Sequence, residues 1–321
     1  MMKGIIHWGV LGWAGIARKD VIPAILKASN SEFFAIASRD QQKLEECSRL
    51  FPYKKSYSSY DELLNDPEVD AIYIPLPNSL HKEWVIKAAQ HKKHILCEKP
   101  LALTERDCIE MEAACTANQV KLMEAFMYRY TVKMKRVTEL LDSGIIGEIK
   151  HINSSFRFLL REENNIRMNA AVGGGSLWDV GCYPVNLIGM LLNDYPIGIS
   201  AQQIVKNEVD IALSAVLKYK SGVLATLNCG FNSQSVLNTE INGTTGTMFI
   251  PETFLDTPSQ IIITSNGIIS KHEVDSCERY VLEIEDFADA IINHRDPGFS
   301  LEETKRNVKL IGEILEIAQK A

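Results

Sequence analysis

The sequence is short of positive charge. It has 34 Lys and Arg against 41 Asp and Glu, a formal net charge of −7 with histidine neutral. A net negative field disfavours a nucleic-acid backbone as partner. Long apolar runs are also missing. No stretch nears the roughly 18–20 residues that span a bilayer. The segment 4–12 contains His7, with no cleavage signal after it, and reads as a strand rather than a leader. Paired cysteines are lacking too. Cys47, Cys97, Cys108, Cys115, Cys182, Cys229 and Cys277 form no Cys-x-x-Cys pair, and their odd number suits reduced thiols in a cytoplasmic protein. The seven histidines show no ligand spacing with Cys or Glu, so no metal is expected. With 19 Gly and 11 Pro, the chain is neither collagen-like nor of low complexity. What remains is a globular composition, 46% hydrophobic and 23% charged, over 321 residues. That length suits two domains of roughly 100–200 residues each.

Over residues 1–125 short apolar runs alternate with amphipathic segments. The strands read as 5–11, 33–38, 54–57, 69–75, 94–97 and 120–125. The helices read as 16–28, 41–51, 79–90 and 104–117, with a short one opened by the capping pair Ser59 and Glu62. This alternation predicts an α/β, doubly wound parallel sheet of the Rossmann kind, with its ligand at the carboxyl ends of the strands. The first strand runs into Gly12, Trp13, Ala14, Gly15 and Ile16. A tight turn of small residues before a helix lets backbone N–H groups approach a pyrophosphate. Gly12, Ala14 and Ala17 occupy the positions of G-x-G-x-x-G/A, with alanine in the middle. The second strand ends Ser38-Arg39-Asp40. Arg39 is a planar cation suited to a 2′-phosphate, Ser38 can donate to it, and Lys43 lies one helical turn beyond. The expected cofactor is therefore NADP(H). NAD(H) stays possible, because Asp40 could instead meet a ribose or cap the next helix.

Further on come Pro75-Leu76-Pro77-Asn78 with His81, then Cys97-Glu98-Lys99-Pro100, then Glu124-Ala125-Phe126-Met127-Tyr128-Arg129, then the run from Gly173 through Trp178, Asp179 and Tyr183. Together these motifs resemble the Gfo/Idh/MocA oxidoreductases over essentially the whole chain. The similarity is greatest to the branch with dimeric dihydrodiol dehydrogenase, D-xylose dehydrogenases and glucose–fructose oxidoreductase. The pattern departs at Ala14 and at Asn169. The resemblance implies a nicotinamide-dependent oxidoreductase acting on a sugar, polyol or related diol, with Lys99 as the family lysine and Tyr183 as general acid/base.

The residue chemistry agrees with that assignment. Asp179 and Tyr183 are four apart and share a helical face. A free phenol, with a pKa of about 10, is a poor base at neutral pH, and a nearby ammonium lowers that value. This is the physical reason to pair Lys99 with Tyr183, with Asp179 binding a substrate hydroxyl or orienting Lys99. Leu76, Asn78, Glu98, Arg129, Arg167 and Trp178 are the remaining candidates to line the cofactor cleft. Glu98 could instead order its loop, the two arginines could form ion pairs, and Trp178, like Trp13, could be core. His81 either lines the cleft or ties down its own loop.

After residue 125 the rhythm changes. A helix over 131–143 and a strand over 148–158 precede a long polar loop, 160–175. A helix over 176–192 follows, with Ser176 as its expected cap. Runs at 197–206, 210–218, 223–231, 235–242, 247–250, 260–264 and 268–273 then predict an α+β domain, 126–321, with a large, mostly antiparallel open sheet. The late helices read as 280–293 and 301–319, with Tyr280 a further pocket candidate. The runs 199–205, 212–217 and 224–228 are apolar enough to suggest cover by another subunit, hence a homodimer or homotetramer. The leading expectation is an NADP(H)-dependent dehydrogenase or reductase for a sugar, polyol or trans-diol. The alternatives are a ketoreductase on a nucleotide-linked deoxysugar, which would need Arg157, Arg161 and Arg167 for its diphosphate, and a non-catalytic dinucleotide or sugar sensor.

Overall fold

A computed structural model describes residues 4–162 and 164–320; Met1–Lys3, Glu163 (inside the expected polar loop) and Ala321 lie outside the described residues. Up to residue 127 the elements are β1 (Ile6–Leu11), α1 (Ile22–Lys27), β2 (Ser31–Ala37), α2 (Gln41–Leu50), β3 (Lys55–Tyr57), α3 (Tyr60–Leu64), β4 (Ala71–Ile74), α4 (His81–Gln90), β5 (His94–Glu98), α5 (Glu105–Ala117) and β6 (Leu122–Ala125). Then follow α6 (Val132–Asp142), β7 (Ile149–Leu159), α7 (Cys182–Leu192), β8 (Gly198–Lys206), β9 (Val209–Lys218), β10 (Leu224–Gly230), β11 (Asn232–Val236), β12 (Thr239–Gly243), β13 (Gly246–Ile250), β14 (Ser259–Ser265) and β15 (Ile268–Val274). Helices α8 (Arg279–Ile292) and α9 (Leu301–Lys320) end the chain. Two compact units result: Met1–Met127 with Glu278–Lys305, and Tyr128–Cys277 with Arg306–Ala321.

The first unit is a six-stranded sheet in the order β3-β2-β1-β4-β5-β6, with every pair parallel. The chain winds one way from β1 to β3 and the other way from β4 to β6. The switch point therefore lies between β1 and β4, where ligands of open α/β sheets bind. The central strands are buried along their length, as helices on both faces require. Gly9 makes one of these contacts possible. A Cβ there would come 2.7 Å from Leu63 and 2.9 Å from Ile72, so α3 lies against β1 only because residue 9 has no side chain. Ser59 and Glu62 form the expected capping box at α3. Helix α8, which chain order had placed with the second half, packs here. Glu285 accepts from the Ser29 N–H and hydroxyl, and Phe287 meets Trp8 at 5.8 Å between ring centres.

The second unit is built on a nine-stranded sheet, β15-β14-β13-β12-β7-β10-β9-β8, with β11 also paired to β7. Only β7 and β10 run parallel, so the sheet is mostly antiparallel, as expected. The turn 243–246 closes the β12–β13 hairpin. A Cβ on Gly243 would overlap the Ile146 carbonyl, so the hairpin approaches the end of α6 closely. The run read as one strand over 235–242 is two. Residues 237 and 238 leave the ladder because the Leu237 carbonyl accepts from Thr253 and the Asn238 carbonyl from Ser155. The apolar runs of β9 and β10 also need correction. Strand alternation turns Leu213, Ala215, Leu217, Ala225 and Leu227 inward. The opposite face is mixed, with Val216 and Leu224 beside Ser214, Thr226 and Asn228.

Candidate active site

In the first unit, β1 is followed by Gly12 at φ +95°, a backbone conformation that suits glycine, with its N–H on the Ala37 carbonyl at 2.8 Å. The Ala14 carbonyl accepts the first helical bond, from Arg18 at 3.0 Å. Gly15 follows at the helix start. It is exposed, and nothing lies within 4 Å of where its Cβ would be. Its backbone thus opens onto space that a side chain would fill, which fits a pyrophosphate at a helix N-terminus. The open glycine is Gly15, whereas the sequence motif had put the close approach at Ala14. Ile16 is half-buried in the same first turn. The Trp13 indole turns to α2, donating to Glu46 at 2.9 Å beside Arg18, and meets Phe51 edge-on.

At the end of β2, Asp40 is occupied. Its carboxylate accepts the Gln42 N–H at 3.0 Å as the N-cap of α2. Ser38 is buried, and its oxygen accepts from the Asp40 N–H at 3.1 Å, leaving its own hydroxyl hydrogen to donate. Arg39 is exposed and makes no ion pair among the described residues; its charge bears on the Tyr60 phenol, pulling against the burial that raises it. Lys43, read as a second phosphate cation, lies 3.8 Å from Asp40 in an exposed pair, which is a weak restraint. Tyr60 was missed in the sequence. Its hydroxyl would be 3.0 Å from a Cβ on Gly12, so it covers the turn.

Leu76 and Asn78 follow β4, and the Leu76 side chain also faces Gly12. His81 needs correction as a lining residue. It has no exposed surface, and its ring nitrogens lie 2.8 Å from the Leu76 carbonyl and 2.9 Å from that of Pro100. It ties the loop after β4 to the loop after β5, and burial holds it below the usual histidine range. Glu98 is likewise turned inward, accepting from the Tyr73 hydroxyl at 2.5 Å, so it orders its loop. Lys99 is half-buried directly after β5.

Glu124 anchors the loop that carries Lys99. It is 2% exposed, accepting from the Leu101 N–H at 2.9 Å and the Thr304 hydroxyl at 2.8 Å. Burial pushes its carboxyl up to about 7, against the pull of those bonds and of Lys99. Glu98 and Glu283 are raised as well, by burial first. The consequence is testable. Because its value lies above the ordinary 4.5, the folded chain keeps a proton that the unfolded chain loses between about pH 4.5 and 7. Glu124 therefore makes stability fall as pH rises through that interval. Glu124→Gln keeps an acceptor for Leu101 and removes the titration. Thermal melts are expected to show the variant gaining on the wild type from pH 4.5 to pH 8, by an amount on the order of 3 kcal/mol. Parallel melts across that range would contradict this.

In the second unit a wide π-helical turn, Leu177–Gly181, leads into α7. Asp179, Tyr183 and Asn186 follow at i, i+4 and i+7, on one face. Tyr183 is 6% exposed and walled by Phe156, Phe254 and Tyr128, at 5.1, 5.4 and 5.7 Å between ring centres. Trp178, next to Asp179 in sequence, is buried. Asp179 is held by Arg167, Nε to Oδ2 at 2.5 Å, and Arg167 lies over the Phe158 ring. Arg129 donates to Asn186 at 3.4 Å, and the Tyr128 hydroxyl donates to the same oxygen. Both arginines read as cofactor contacts are thus engaged around α7. Asn186 was missed, although its spacing from Tyr183 was there to find. The expected Ser176 cap is also corrected. Ser176 has helical dihedrals and makes no side-chain bond to the helix backbone; the acceptor is Asp210 on β9, 34 positions downstream. Asn169 caps the short turn Ala170–Val172 through the Ala171 N–H.

Residues 6–126 match the GFO/IDH/MocA oxidoreductase family with an NAD-binding Rossmann fold, and residues 134–249 match the GFO/IDH/MocA C-terminal domain. The chain belongs to the GFO/IDH/MocA family. Its relatives include D-xylose 1-dehydrogenase (NADP(+)) 2 of Haloferax volcanii, 34% identical over 97% of each chain. Trans-1,2-dihydrobenzene-1,2-diol dehydrogenase of Xenopus laevis is 31% identical over 83% of this chain and 81% of the other. Among solved structures, KijD10, a 3-ketoreductase from Actinomadura kijaniata in complex with NADP and TDP-benzene, superposes with a TM-score of 0.91 at 29% identity, covering 98% of both chains. This GFO/IDH/MocA member is therefore an oxidoreductase with a Rossmann nucleotide domain. No helix among its described residues is long and apolar enough to cross a membrane.

Proposed function

We propose that this chain is an NADP(H)-dependent dehydrogenase or reductase that interconverts a hydroxyl and a carbonyl on a sugar, polyol or trans-diol. The observation that carries this reading is the end of β2. Arg39 is exposed and makes no ion pair among the described residues, Ser38 keeps a donor, and the adjacent carboxylate, Asp40, is turned to α2. The dinucleotide, when bound, takes or supplies the hydride. Tyr183 takes the hydroxyl proton in oxidation and returns it in reduction, and Lys99 serves the same hydroxyl as a cation that favours the phenolate. Asp179, braced by Arg167, positions the substrate. Support for the Lys99 and Tyr183 roles comes from the KijD10 ketoreductase. The lysine and tyrosine replaced in its variant structures are separated by the same number of residues as Lys99 and Tyr183.

A small neutral substrate is favoured over a nucleotide-linked one. Of the three arginines a diphosphate would need, Arg157 is bonded to Asn232 and Ser233, and Arg167 to Asp179. A spectrophotometric screen of sugars, polyols and trans-diols with both dinucleotides tests the reading. Turnover with a neutral sugar or diol and NADP is expected. Dinucleotide binding without any turnover would instead favour a sensor, and turnover only with a nucleotide-linked sugar the ketoreductase.

We also infer a cytoplasmic homodimer or homotetramer assembled through the second-unit sheet. The location is supported by seven cysteines with no disulfide among them. The assembly is supported by the uncovered face of β8–β10, where Val216 and Leu224 stand exposed among small polar residues. Light scattering at micromolar concentration is expected to give a multiple of the chain mass, and a mass of 36.0 kDa would refute the assembly.

A further inference from the structure

We infer that Asp210 is a positioning residue for the helix that carries Asp179 and Tyr183, seating its first turn when ionised and loosening it when protonated. The inference rests on the role proposed above for Tyr183. A helix start leaves backbone N–H groups without partners. Here Ser176 makes no side-chain cap, and the acceptor comes from another element. Asp210, at the start of β9, is 5% exposed. Its Oδ2 accepts the Leu177 N–H at 2.8 Å and the Ser176 hydroxyl at 2.6 Å. A Cβ on Gly175 would overlap Asp210 Oδ1, so the backbone at φ +119° lies directly on the carboxylate. On its flank the wide turn is pressed against β10, where a Cβ on Gly181 would come 2.8 Å from Cys229 Sγ. The turn is thus located by a carboxylate at its end and by β10 at its side, and Tyr183 follows within one helical turn.

A carboxylate near a helix N-terminus is also favoured by the helix dipole. Among the described residues no cation pairs with Asp210. Burial pushes its carboxyl up to about 6, against the bonds from Ser176 and Leu177 that pull it down. Among the described residues the titratable group set against it is Cys229 on β10, which Cys182 on α7 also influences. Burial first, and then Asp210, push the Cys229 thiol up, while Arg157 on β7 pulls the other way. Protonation below about pH 6 therefore replaces an anionic acceptor of two bonds with a neutral acid that carries its own hydrogen.

The test compares wild type, Asp210→Ala and Asp210→Asn by kcat against pH, and by amide hydrogen exchange over residues 177–183. Asp210→Ala is expected to lower kcat at least about tenfold with the KM for the dinucleotide unchanged. Asp210→Asn, which keeps an oxygen acceptor, is expected to recover part of that loss and to flatten the acid limb that the wild type shows near pH 6. The wild-type amides are expected to lose protection between pH 7.5 and pH 5, beyond the change in intrinsic exchange, and those of Asp210→Asn are not. An Asp210→Ala enzyme with wild-type kcat, or an unchanged acid limb in Asp210→Asn, would overturn the inference. If Asp210→Ala does not fold, the Asn variant decides. If no sugar or diol is turned over, the functional reading fails, while the exchange data still decide whether Asp210 seats the helix.

Discussion

Replacing Tyr183 by Phe is expected to lower turnover by roughly 10²–10⁴-fold, and Lys99→Ala to do the same. The tyrosine substitution is a clean one. Tyr183 is 6% exposed, and its ring is held by Phe156, Phe254 and Tyr128, contacts that a phenylalanine ring keeps. What is lost is the hydroxyl, the group that exchanges a proton with the substrate oxygen. The lysine substitution leaves its loop in place for a different reason. The backbone after β5 is held by the Leu101 N–H on Glu124 and by His81 on the Pro100 carbonyl, neither of which involves the Lys99 ammonium. Both variants are expected to fold, bind the dinucleotide, and fail in kcat. The measurement is single-substrate kinetics at saturating dinucleotide, with thermal melts alongside. Turnover near the wild-type level in either variant removes that residue from the mechanism.

The second large effect concerns dinucleotide choice. Arg39→Ala is expected to reduce the preference for NADP over NAD by roughly 10- to 100-fold, the loss of charge-assisted bonds to a phosphate. Among the described residues Arg39 makes no ion pair that would restrain it, and Ser38 beside it is buried with a hydroxyl hydrogen to give. Asp40 cannot readily take over the role of an NAD-selecting acid, because leaving the Gln42 N–H would uncap α2 at about 1 kcal/mol. The variant should thus weaken NADP without a matching gain for NAD. The ratio of kcat/KM for the two dinucleotides checks it, and an unchanged ratio would show that the 2′-phosphate is held elsewhere.

Much of this protein was determined by short-range signals in its sequence. The strand and helix periods, the glycine turn after β1, and the capping pair Ser59 and Glu62 depend on residues a few positions apart, so they were legible as text. The same holds for the change from alternating to consecutive strands, which foretold a parallel sheet followed by a mostly antiparallel one. What only the tertiary structure decided is which polar groups are buried and what they meet. Asp210 reaches Ser176 through the position of β9, and Glu124 reaches Thr304 across 180 residues. His81 proved to be a tie between two loops, and Arg167 a partner of Asp179, because burial and pairing depend on which strand ends are neighbours. Helix α8 packs with the first unit although it follows the second sheet in the chain. Sequence period records which face of an element is apolar. It does not record which other element that face will meet, and the pKa of a buried carboxyl is set by that meeting.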